Sequence, residues 1–305
     1  MDPGPIEKSS RHNQTQSTMS TEKHLLITGV SGFIGGALLT HLAPGYQLVG
    51  LSRRRWRDEL PANAQVLQGD FTSFEDLRQL DGYSIGGLVH LAAETGNGGE
   101  ETCLATNVLG TRRLLRYLID RGCRKFVMAS SVAAAGCLQA GFLPQQAPIA
   151  DDHPCLAIDA YGFSKAMMEE LTQHMYRVHP DTDFTNLRLG VVVDEVKWEP
   201  LHITAETPLD APFVELARVM LSDVLAAIQT TVEAPQRPGV RNYNVVGPDA
   251  TSDDAVVDVM RAFFKERAGD LDFSFYKQPG QEYAALYAMD KIKTELGFAP
   301  QKTTR

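Results

Sequence analysis

The fold of this chain is decided by the stretch TGVSGFIGG, residues 28–36. Apolar runs on both sides predict a buried strand, a tight turn and the start of a helix. Gly29 fits a sharp turn, Gly32 lets the backbone approach a diphosphate, and Gly35 lets the helix pack against the strand. The N–H groups at the helix start would face that diphosphate. This context favours a dinucleotide site over an ordinary glycine turn, and the remaining contacts we expect here are Ser31, Phe33 and Ile34.

Composition limits the class of protein. The 305 residues are 43% hydrophobic, enough for one large core or for one core with a small second lobe. A net charge of -9 argues against sequence-independent nucleic-acid binding. No apolar run approaches the roughly 18 to 20 residues of a membrane-spanning helix. We expect a soluble protein with neither a nucleic-acid nor a membrane partner.

The cysteines suggest no metal site. Cys103, Cys123, Cys137 and Cys155 form no CxxC pair and have no His-rich partner segment, so neither zinc nor a disulfide framework is predicted. Reduced thiols of a cytoplasmic protein are the simpler interpretation. Residues 1–22 are polar and lack the apolar core of a signal peptide, so we expect a disordered tail or tag.

A basic run follows the second predicted strand, 47–52. In NAD-binding versions of this unit, an acidic residue near this strand end accepts hydrogen bonds from ribose hydroxyls. Here Arg53, Arg54 and Arg55 follow instead. A guanidinium suits the extra phosphate of NADP by charge and by its two-pronged geometry, although a solvated basic turn is the alternative. The position favours NADP over NAD, with Arg53 and Arg54 as contacts.

The third and fourth predicted strands supply further candidates. Asp70, followed by Phe71, lies where a carboxylate could meet the adenine amino group, and a simple turn role is equally supported. The fourth strand ends in Leu91, Ala92 and Ala93, whose small residues would let a cofactor lie flat across the sheet edge. His90, inside this apolar strand, is interpreted as a core residue with satisfied hydrogen bonds.

Strands and helices alternate, which predicts a doubly wound parallel sheet that binds ligands at its carboxyl edge. The fifth strand brings Ser130 and Ser131 to that edge. The following helix carries Tyr161 and Lys165, four residues apart on one face. A nearby ammonium would lower the phenol pKa from about 10. Tyr161 would then serve as a general acid and base near neutral pH.

Together with HLAA at 90–93, NVLGT at 107–111, SSVAAAG at 130–136 and YGFSKAMMEE at 161–170, these motifs resemble the extended short-chain dehydrogenase/reductases of the epimerase/dehydratase branch. The resemblance covers nearly everything from about residue 23 to the end. It implies that Tyr161 is the catalytic acid/base and that Lys165 holds the nicotinamide ribose. It implies Ser131 as the hydroxyl that orients the substrate oxygen, with Ser130 as second choice.

The same resemblance implies further contacts and a quaternary state. Asn107 would lie near the cofactor or make a structural contact. Leu189 and Val192 would complete the cofactor site. The substrate would be lined by Glu94, Thr95, Ser131 and Trp198, with Trp198 as either a lid or a packing anchor. A homodimer through the helix after Asn107 and the Tyr161 helix is also expected.

The chain is expected to form a Rossmann-type domain and a smaller C-terminal substrate-binding lobe. The domain would span 23–193, with 213–249 packing back onto it and a helix over 213–229. The lobe would comprise 194–212 and 250–305.

These observations favour an NADPH-dependent carbonyl reductase that transfers hydride from the nicotinamide. An epimerase acting on a nucleotide sugar is the alternative, and a non-catalytic NADP-sensing protein is the second. Ser131 is followed by Val132 and Ala133, whereas the family's sugar dehydratases have a threonine and an acidic residue there. This departure argues against dehydration.

Overall fold

A seven-stranded parallel sheet forms the centre of the structure, a computed structural model in which residues 23–56, 58–95, 98–139 and 141–305 are described. The expected tail, 1–22, lies outside the described residues. The strands are β1 (His24–Thr28), β2 (Gln47–Ser52), β3 (Ala64–Gln68), β4 (Ile85–His90), β5 (Lys125–Ser131), β6 (Asp183–Leu189), β7 (Val191–Val193), β8 (Arg218–Met220) and β9 (Gly239–Val245).

The main sheet has the strand order β3-β2-β1-β4-β5-β6-β9, and all of its pairings are parallel. The chain moves outward from β1 in one direction and then crosses back to continue from β4 in the other. The predicted doubly wound parallel sheet is therefore confirmed. Its order reverses between β1 and β4, and such a reversal opens a ligand crevice at the carboxyl edge.

Helices cover both faces of this sheet. Because side chains alternate along a strand, Leu25 and Ile27 of β1 pack on one face and Leu26 on the other. None of the helices in the described part of the chain is long and apolar enough to cross a membrane. The helices are α1 (Phe33–Leu42), α2 (Phe74–Leu77), α3 (Gly99–Cys103), α4 (Thr111–Ile119), α5 (Ala160–Val178), α6 (Pro212–Glu215), α7 (Leu221–Glu233), α8 (Val256–Phe264) and α9 (Asp290–Leu296).

Each face has its own apolar core. Helices α1 and α7 pack on the face of Leu25 and Ile27, whereas α4 and α5 pack on the face of Leu26. A third cluster contains α8 and residues from the segments 132–149, 203–217 and 246–287. This cluster joins residues from both predicted domains, and the division of the chain into two domains stays a prediction.

The predicted single helix over 213–229 is wrong at residues 216–220, which separate two helices. Helix α6 ends at Glu215, β8 then pairs in parallel with β7, and α7 begins only at Leu221. Three residues of strand are too few for a period-2 pattern to show in the sequence. The pairing depends on β7, which follows the end of β6 after a single residue, Gly190.

The glycine turn at the crevice predicts one sharp effect on stability. A Cβ added to Gly35 would lie 2.2 Å from the Gly29 carbonyl oxygen, so α1 would have to move away from the turn. We expect Gly35→Ala to lower the free energy of unfolding by about 1 to 3 kcal/mol. Urea unfolding measures this change.

The matched control is Gly45→Ala. A Cβ at Gly45 meets nothing within 4 Å in the described residues. The free energy of unfolding should change by less than about 0.5 kcal/mol. Equal losses in the two variants would contradict the close-packing explanation.

Candidate active site

The turn between β1 and α1 presents backbone N–H groups. Gly29 has a φ of +76°, a conformation that favours glycine, and the Gly32 N–H donates to its carbonyl at 2.9 Å. A Cβ on Gly29 would lie 2.7 Å from the Ala92 nitrogen, so the turn packs directly on the chain that leaves β4. Within the described structure, no side chain caps the start of α1 at Phe33. These N–H groups suit a diphosphate.

A cavity of about 600 Å³ adjoins this turn. It is next to the diphosphate position, so it suits the adenosine half of a dinucleotide. Trp56 and Asp58 belong to it although the sequence analysis missed both. The only sequence signal was an aromatic and an acidic residue just beyond the basic run. The lining residues are Val30, Ser31, Gly32, Gly36, Arg54, Arg55, Trp56 and Asp58.

The arginines after β2 differ in their placement. Arg54 donates from Nη2 to the Ser31 carbonyl at 2.8 Å, and Ser52 Oγ donates to Ser31 Oγ at 2.7 Å. These bonds tie the end of β2 to the glycine turn. Arg54 and Arg55 line the cavity, whereas Arg53 is exposed and does not line it. Of the two arginines expected to contact the cofactor, the structure brings only Arg54 to the cavity.

The residues after β3 and within β4 have structural roles. The Asp70 carboxylate accepts a hydrogen bond from the Thr72 N–H at 2.8 Å, which is the turn role. Phe71 is buried. The centre of its ring lies 4.9 Å from the centre of the His90 ring, and the two rings meet edge to face. His90 bonds Thr28 and Thr111 through its two ring nitrogens. Burial, assisted by the positive charge of Lys165, lowers the pKa of His90 to about 3, so its ring is neutral.

Asn107 makes the structural contact that was one of its two expected roles. Its Oδ1 accepts from the Glu94 N–H at 2.7 Å, and its Nδ2 donates to the Glu94 carbonyl at 2.8 Å and to Ser164 Oγ at 2.9 Å. Asn107 therefore joins the chain after β4 to α5. Thr95, the next expected substrate contact, is exposed beside this junction.

Helix α5 brings Tyr161 to Ser131. Asp159 caps the helix by accepting from the Gly162 N–H at 2.7 Å. The Ser131 side chain lies close enough to the Tyr161 phenol to lower the pKa of that phenol. Lys165 is buried, donates to the Ala129 carbonyl at 2.6 Å, and has its Nζ 5.6 Å from the centre of the Tyr161 ring. The three expected catalytic residues thus lie together at the carboxyl end of β5.

The electrostatics of this group differ from the expectation. Burial raises the pKa of Tyr161, while the nearby Ser131 side chain lowers it by a smaller amount. The prediction that Lys165 lowers the pKa of the phenol is therefore wrong for the structure as it stands, because desolvation outweighs the favourable contacts. Burial lowers the pKa of Lys165 to about 8, against the opposing charge of Glu169. Tyr161 is a protonated phenol at neutral pH.

The other expected contacts lie near the same edge. Leu189 is buried at the end of β6, opposite Ser131 in the strand pairing, and Val192 packs partly buried against the same core. Leu91 and Ala92 pack against the two faces of the sheet, and Ala93 follows them. Phe33 is 49% exposed, while Ile34 packs on the core. Their cofactor contacts stay predictions.

Comparison with known proteins assigns the family. The model of the NAD dependent epimerase/dehydratase family matches residues 25–195, more than half of the chain. The chain belongs to this family. It is therefore an enzyme of the extended short-chain dehydrogenase/reductase type, as its motifs predict.

Individual relatives of this family member are distant. UDP-glucose 4-epimerase 4 of Oryza sativa subsp. japonica is 27% identical over 246 residues, which cover 73% of this chain and 64% of that protein. Two solved structures are similar to this chain in fold, at sequence identities too low to show more than the fold. UDP-glucose 4-epimerase of Thermotoga maritima with UDP-glucose has a TM-score of 0.66 at 21% identity and covers 92% of this chain and 94% of its own. The Bordetella bronchiseptica enzyme WbmG in complex with NAD has a TM-score of 0.62 at 19% identity. The match covers 93% of this chain and 91% of that chain.

A buried ion pair supports the catalytic end of β5 in this family member. Arg188 of β6 donates to both oxygens of Glu169, at 2.9 and 2.8 Å, and their side chains are only 3% and 5% exposed. Ser130 donates to the same carboxylate at 2.6 Å, and so does Asn242 at 3.0 Å. Ser130 is thus directed into a buried network, which leaves Ser131 as the serine beside Tyr161.

Sequence reasoning missed both members of this pair. Glu169 lies one helical turn after Lys165, which places it on the same face of α5. That spacing was the available signal. Its partner on β6 could not be identified, because the pairing of α5 with a strand end depends on the tertiary fold.

The ion pair predicts a large loss of stability in Glu169→Gln. The amide keeps the size of the side chain but leaves the buried Arg188 charge uncompensated. We expect the free energy of unfolding to fall by about 3 to 5 kcal/mol. Urea unfolding at pH 7 measures the loss.

The neighbouring Glu170→Gln is the control. Glu170 is 61% exposed and pairs with the equally exposed Arg177 at 2.9 Å. The free energy of unfolding of Glu170→Gln should fall by less than about 1 kcal/mol. If the free energy of unfolding fell by the same small amount in both variants, the buried Arg188–Glu169 pair would not stabilise the end of β5.

Proposed function

We propose that this enzyme is an epimerase of a nucleotide-linked sugar that works with a nicotinamide cofactor. The observation that carries the proposal is the grouping of Ser131, Tyr161 and Lys165 at the carboxyl end of β5, where Lys165 donates to the Ala129 carbonyl and has its Nζ 5.6 Å from the centre of the Tyr161 ring. The similarity to a UDP-glucose 4-epimerase favours this activity over simple carbonyl reduction.

The chain's own residues would handle the proton and the orientation of the sugar. Ser131 would hydrogen-bond the reacting sugar oxygen. Tyr161 would first have to ionise when the cofactor binds; the phenolate would then take the proton when that hydroxyl becomes a carbonyl and return it when the hydroxyl forms again. Lys165, held by the Ala129 carbonyl, would bind the ribose beside the nicotinamide. The nicotinamide, when bound, supplies the acceptor and donor of hydride.

The cofactor is the finer part of the proposal. Asp58 in the cavity offers the carboxylate that the end of β2 lacks, and it could accept hydrogen bonds from ribose hydroxyls. The Arg54 guanidinium already donates one of its hydrogen bonds to the Ser31 carbonyl. These two features favour NAD, as do the structural neighbours solved with it.

A second candidate is the NADPH-dependent carbonyl reductase. Arg54 and Arg55 both line the cavity, where they could meet a 2′-phosphate. A reductase would consume one NADPH for each carbonyl reduced, whereas an epimerase would need no added reductant. A protein that only senses NADP would bind it without any turnover.

The homodimer and the cytoplasmic location stay predictions. Leu114, Leu115 and Leu118 of α4 are buried in this chain's own core. The exposed face of α4 carries Arg112, Arg113 and Arg116. A partner helix would meet charged side chains there, so pairing through α4 would need acidic groups opposite them.

The activity test uses UDP-glucose and UDP-galactose with no added reductant. We expect wild-type protein to interconvert the two sugars, and Tyr161→Phe to lower kcat at least about 100-fold because the proton carrier is lost. Ser131→Ala should also lower kcat, about 10-fold or more, because the orienting hydroxyl is lost. Chromatography of the nucleotide sugars measures the rates.

Ser130→Ala is the matched control for Ser131→Ala. It removes a hydroxyl that bonds Glu169, so kcat should stay within about 3-fold while the free energy of unfolding falls by about 1 to 3 kcal/mol. Retained activity in Tyr161→Phe, or equal loss of kcat in both serine variants, would overturn the assignment of roles.

Cofactor choice is tested by paired titrations with NADH and NADPH, followed by cofactor fluorescence. We expect tighter binding of NADH, and about 10-fold weaker binding of NADH in Asp58→Asn because the carboxylate that accepts from the ribose is lost.

Arg53→Ala should leave both affinities unchanged, since Arg53 does not line the cavity, and it serves as the control for Arg54→Ala. Preference for NADPH that is lost in Arg54→Ala alone would instead support the reductase.

A further inference from the structure

Residues 301–305 are bound to the start of α7 by a buried carboxylate. Asp223, in the first turn of that helix, accepts from the backbone N–H groups of Gln301 and Lys302 at 3.0 Å each. Backbone donors on both oxygens satisfy a carboxylate that has lost its water. Asp223 therefore determines where the backbone of Lys302 lies.

The rest of this segment follows the chain that leaves β9. Thr303 Oγ1 donates to the Asp249 carboxylate at 2.6 Å. Arg305 Nε donates to the Ser252 carbonyl at 2.9 Å. We call residues 301–305 the strap, because they are bonded to α7 at one end and to the chain after β9 at the other.

The loop 194–211 starts at the carboxyl edge of the sheet. Leu189, the last residue of β6, pairs with Ser131, and β7 follows after Gly190. The loop leaves β7 after Val193. A substrate bound at Ser131 would therefore extend toward the start of this loop.

Glu195 joins this loop to both α7 and the strap. Its Oε1 accepts from Ser222 Oγ at 2.7 Å and from Lys302 Nζ, and its Oε2 accepts from the Ser222 N–H at 3.2 Å. Burial would raise the pKa of Glu195, but the bonds from Lys302 and Ser222 outweigh it, and the pKa is lowered. The carboxylate is therefore charged at neutral pH beside an ammonium group.

A second anchor of the loop lies at residues 203–205. The Ile203 carbonyl accepts from the Asp253 N–H at 2.8 Å. The Asp254 carboxylate accepts from the Ala205 N–H at 2.8 Å. Arg305 bonds the residue just before Asp253, so the strap adjoins both anchors of the loop.

The residues between the two anchors are largely exposed. Val196 is 93% exposed, and the side chain of Lys197 is 83% exposed. Trp198 is partly buried, and the centre of its ring lies 5.8 Å from the guanidinium carbon of Arg218. A mostly exposed span has few contacts of its own, so its position depends on the anchors at its two ends.

We propose that Lys302 and Glu195 are positioning residues, through which the strap holds the loop 194–211 beside the bound substrate. The inference rests on the proposed function, since that substrate is the nucleotide-linked sugar. Lys302 acts through Glu195 and not on the substrate itself. Losing their contact releases one anchor, which weakens substrate binding and leaves proton transfer at Tyr161 unchanged.

Trypsin cleavage after Lys197 measures release of the loop, because this exposed lysine lies between the two anchors. Cleavage of a folded protein follows the population of the locally opened form when opening is fast. We expect Lys302→Met to raise the cleavage rate at Lys197 about 2- to 5-fold, the effect of one partly exposed ion pair. Mass spectrometry of the fragments assigns the cut.

The kinetic arm separates positioning from general stability. Lys302→Met should raise the KM for UDP-glucose about 2- to 5-fold, while kcat stays within about 2-fold. Lys302→Arg keeps the charge and should restore both the KM and the cleavage rate. A merely structural role would lower the free energy of unfolding without separating KM from kcat, and urea unfolding of each variant measures this.

A second variant releases the strap at its backbone. In Asp223→Asn, the amide group presents a donor to one of the two N–H groups, so cleavage at Lys197 should be about 5- to 20-fold faster. Lys293→Met is the matched control for Lys302→Met. Lys293 is an exposed lysine of α9 that belongs to neither the strap nor the loop, so its variant should match the wild type.

Cleavage at Lys197 that is as slow in Lys302→Met and Asp223→Asn as in the wild type would overturn the strap. Faster cleavage with an unchanged KM would overturn its positioning role. A wild-type protein without epimerase activity would reject the proposed function, and the cleavage rates would still decide whether the strap holds the loop.

Discussion

The close contact between the glycine turn and the chain leaving β4 is the constraint on which the active site depends. Gly29 packs against the Ala92 backbone, and Gly35 packs against the Gly29 carbonyl, at separations that leave no room for a Cβ. This contact lies where the sheet order reverses. It brings the start of α1, the end of β2 and the end of β4 together, so the cavity beside the turn exists only while these backbones stay in contact.

A second set of contacts determines where the residues proposed for proton transfer lie. Lys165 and Glu169, one helical turn apart on α5, bond Ala129 and Ser130 of β5. The next residue is Ser131, which is thereby presented to Tyr161. Arg188 joins the same carboxylate to β6. The end of β5 that carries Ser131 is positioned by a buried network of charged and polar groups, in which removing one member leaves others without a partner.

Electrostatics at the two ends of the crevice illustrate how burial changes a sequence-based expectation. A lysine four residues from a tyrosine suggests a lowered phenol pKa, yet desolvation raises the pKa of Tyr161. Three arginines in a row suggest a phosphate site, yet Arg54 is bonded to Ser31 and Asp58 shares the same cavity. The pKa of Tyr161 thus depends on the burial that the fold adds, whereas the preference between NAD and NADP stays a proposal.

The sequence by itself determined the parallel sheet, the glycine turn and the common helix face of Tyr161 and Lys165, because strand and helix periodicity and turn chemistry are local properties. The grouping of these two residues with Ser131 was implied by the family resemblance. The sequence could not determine that Asp58 lines the cavity and Arg53 does not, that Ser130 bonds Glu169, or that Arg218 lies in a short strand beside Trp198. Those facts rest on contacts between residues far apart in the chain. Only tertiary packing decides which of many polar side chains meet, and which of them lose water in doing so.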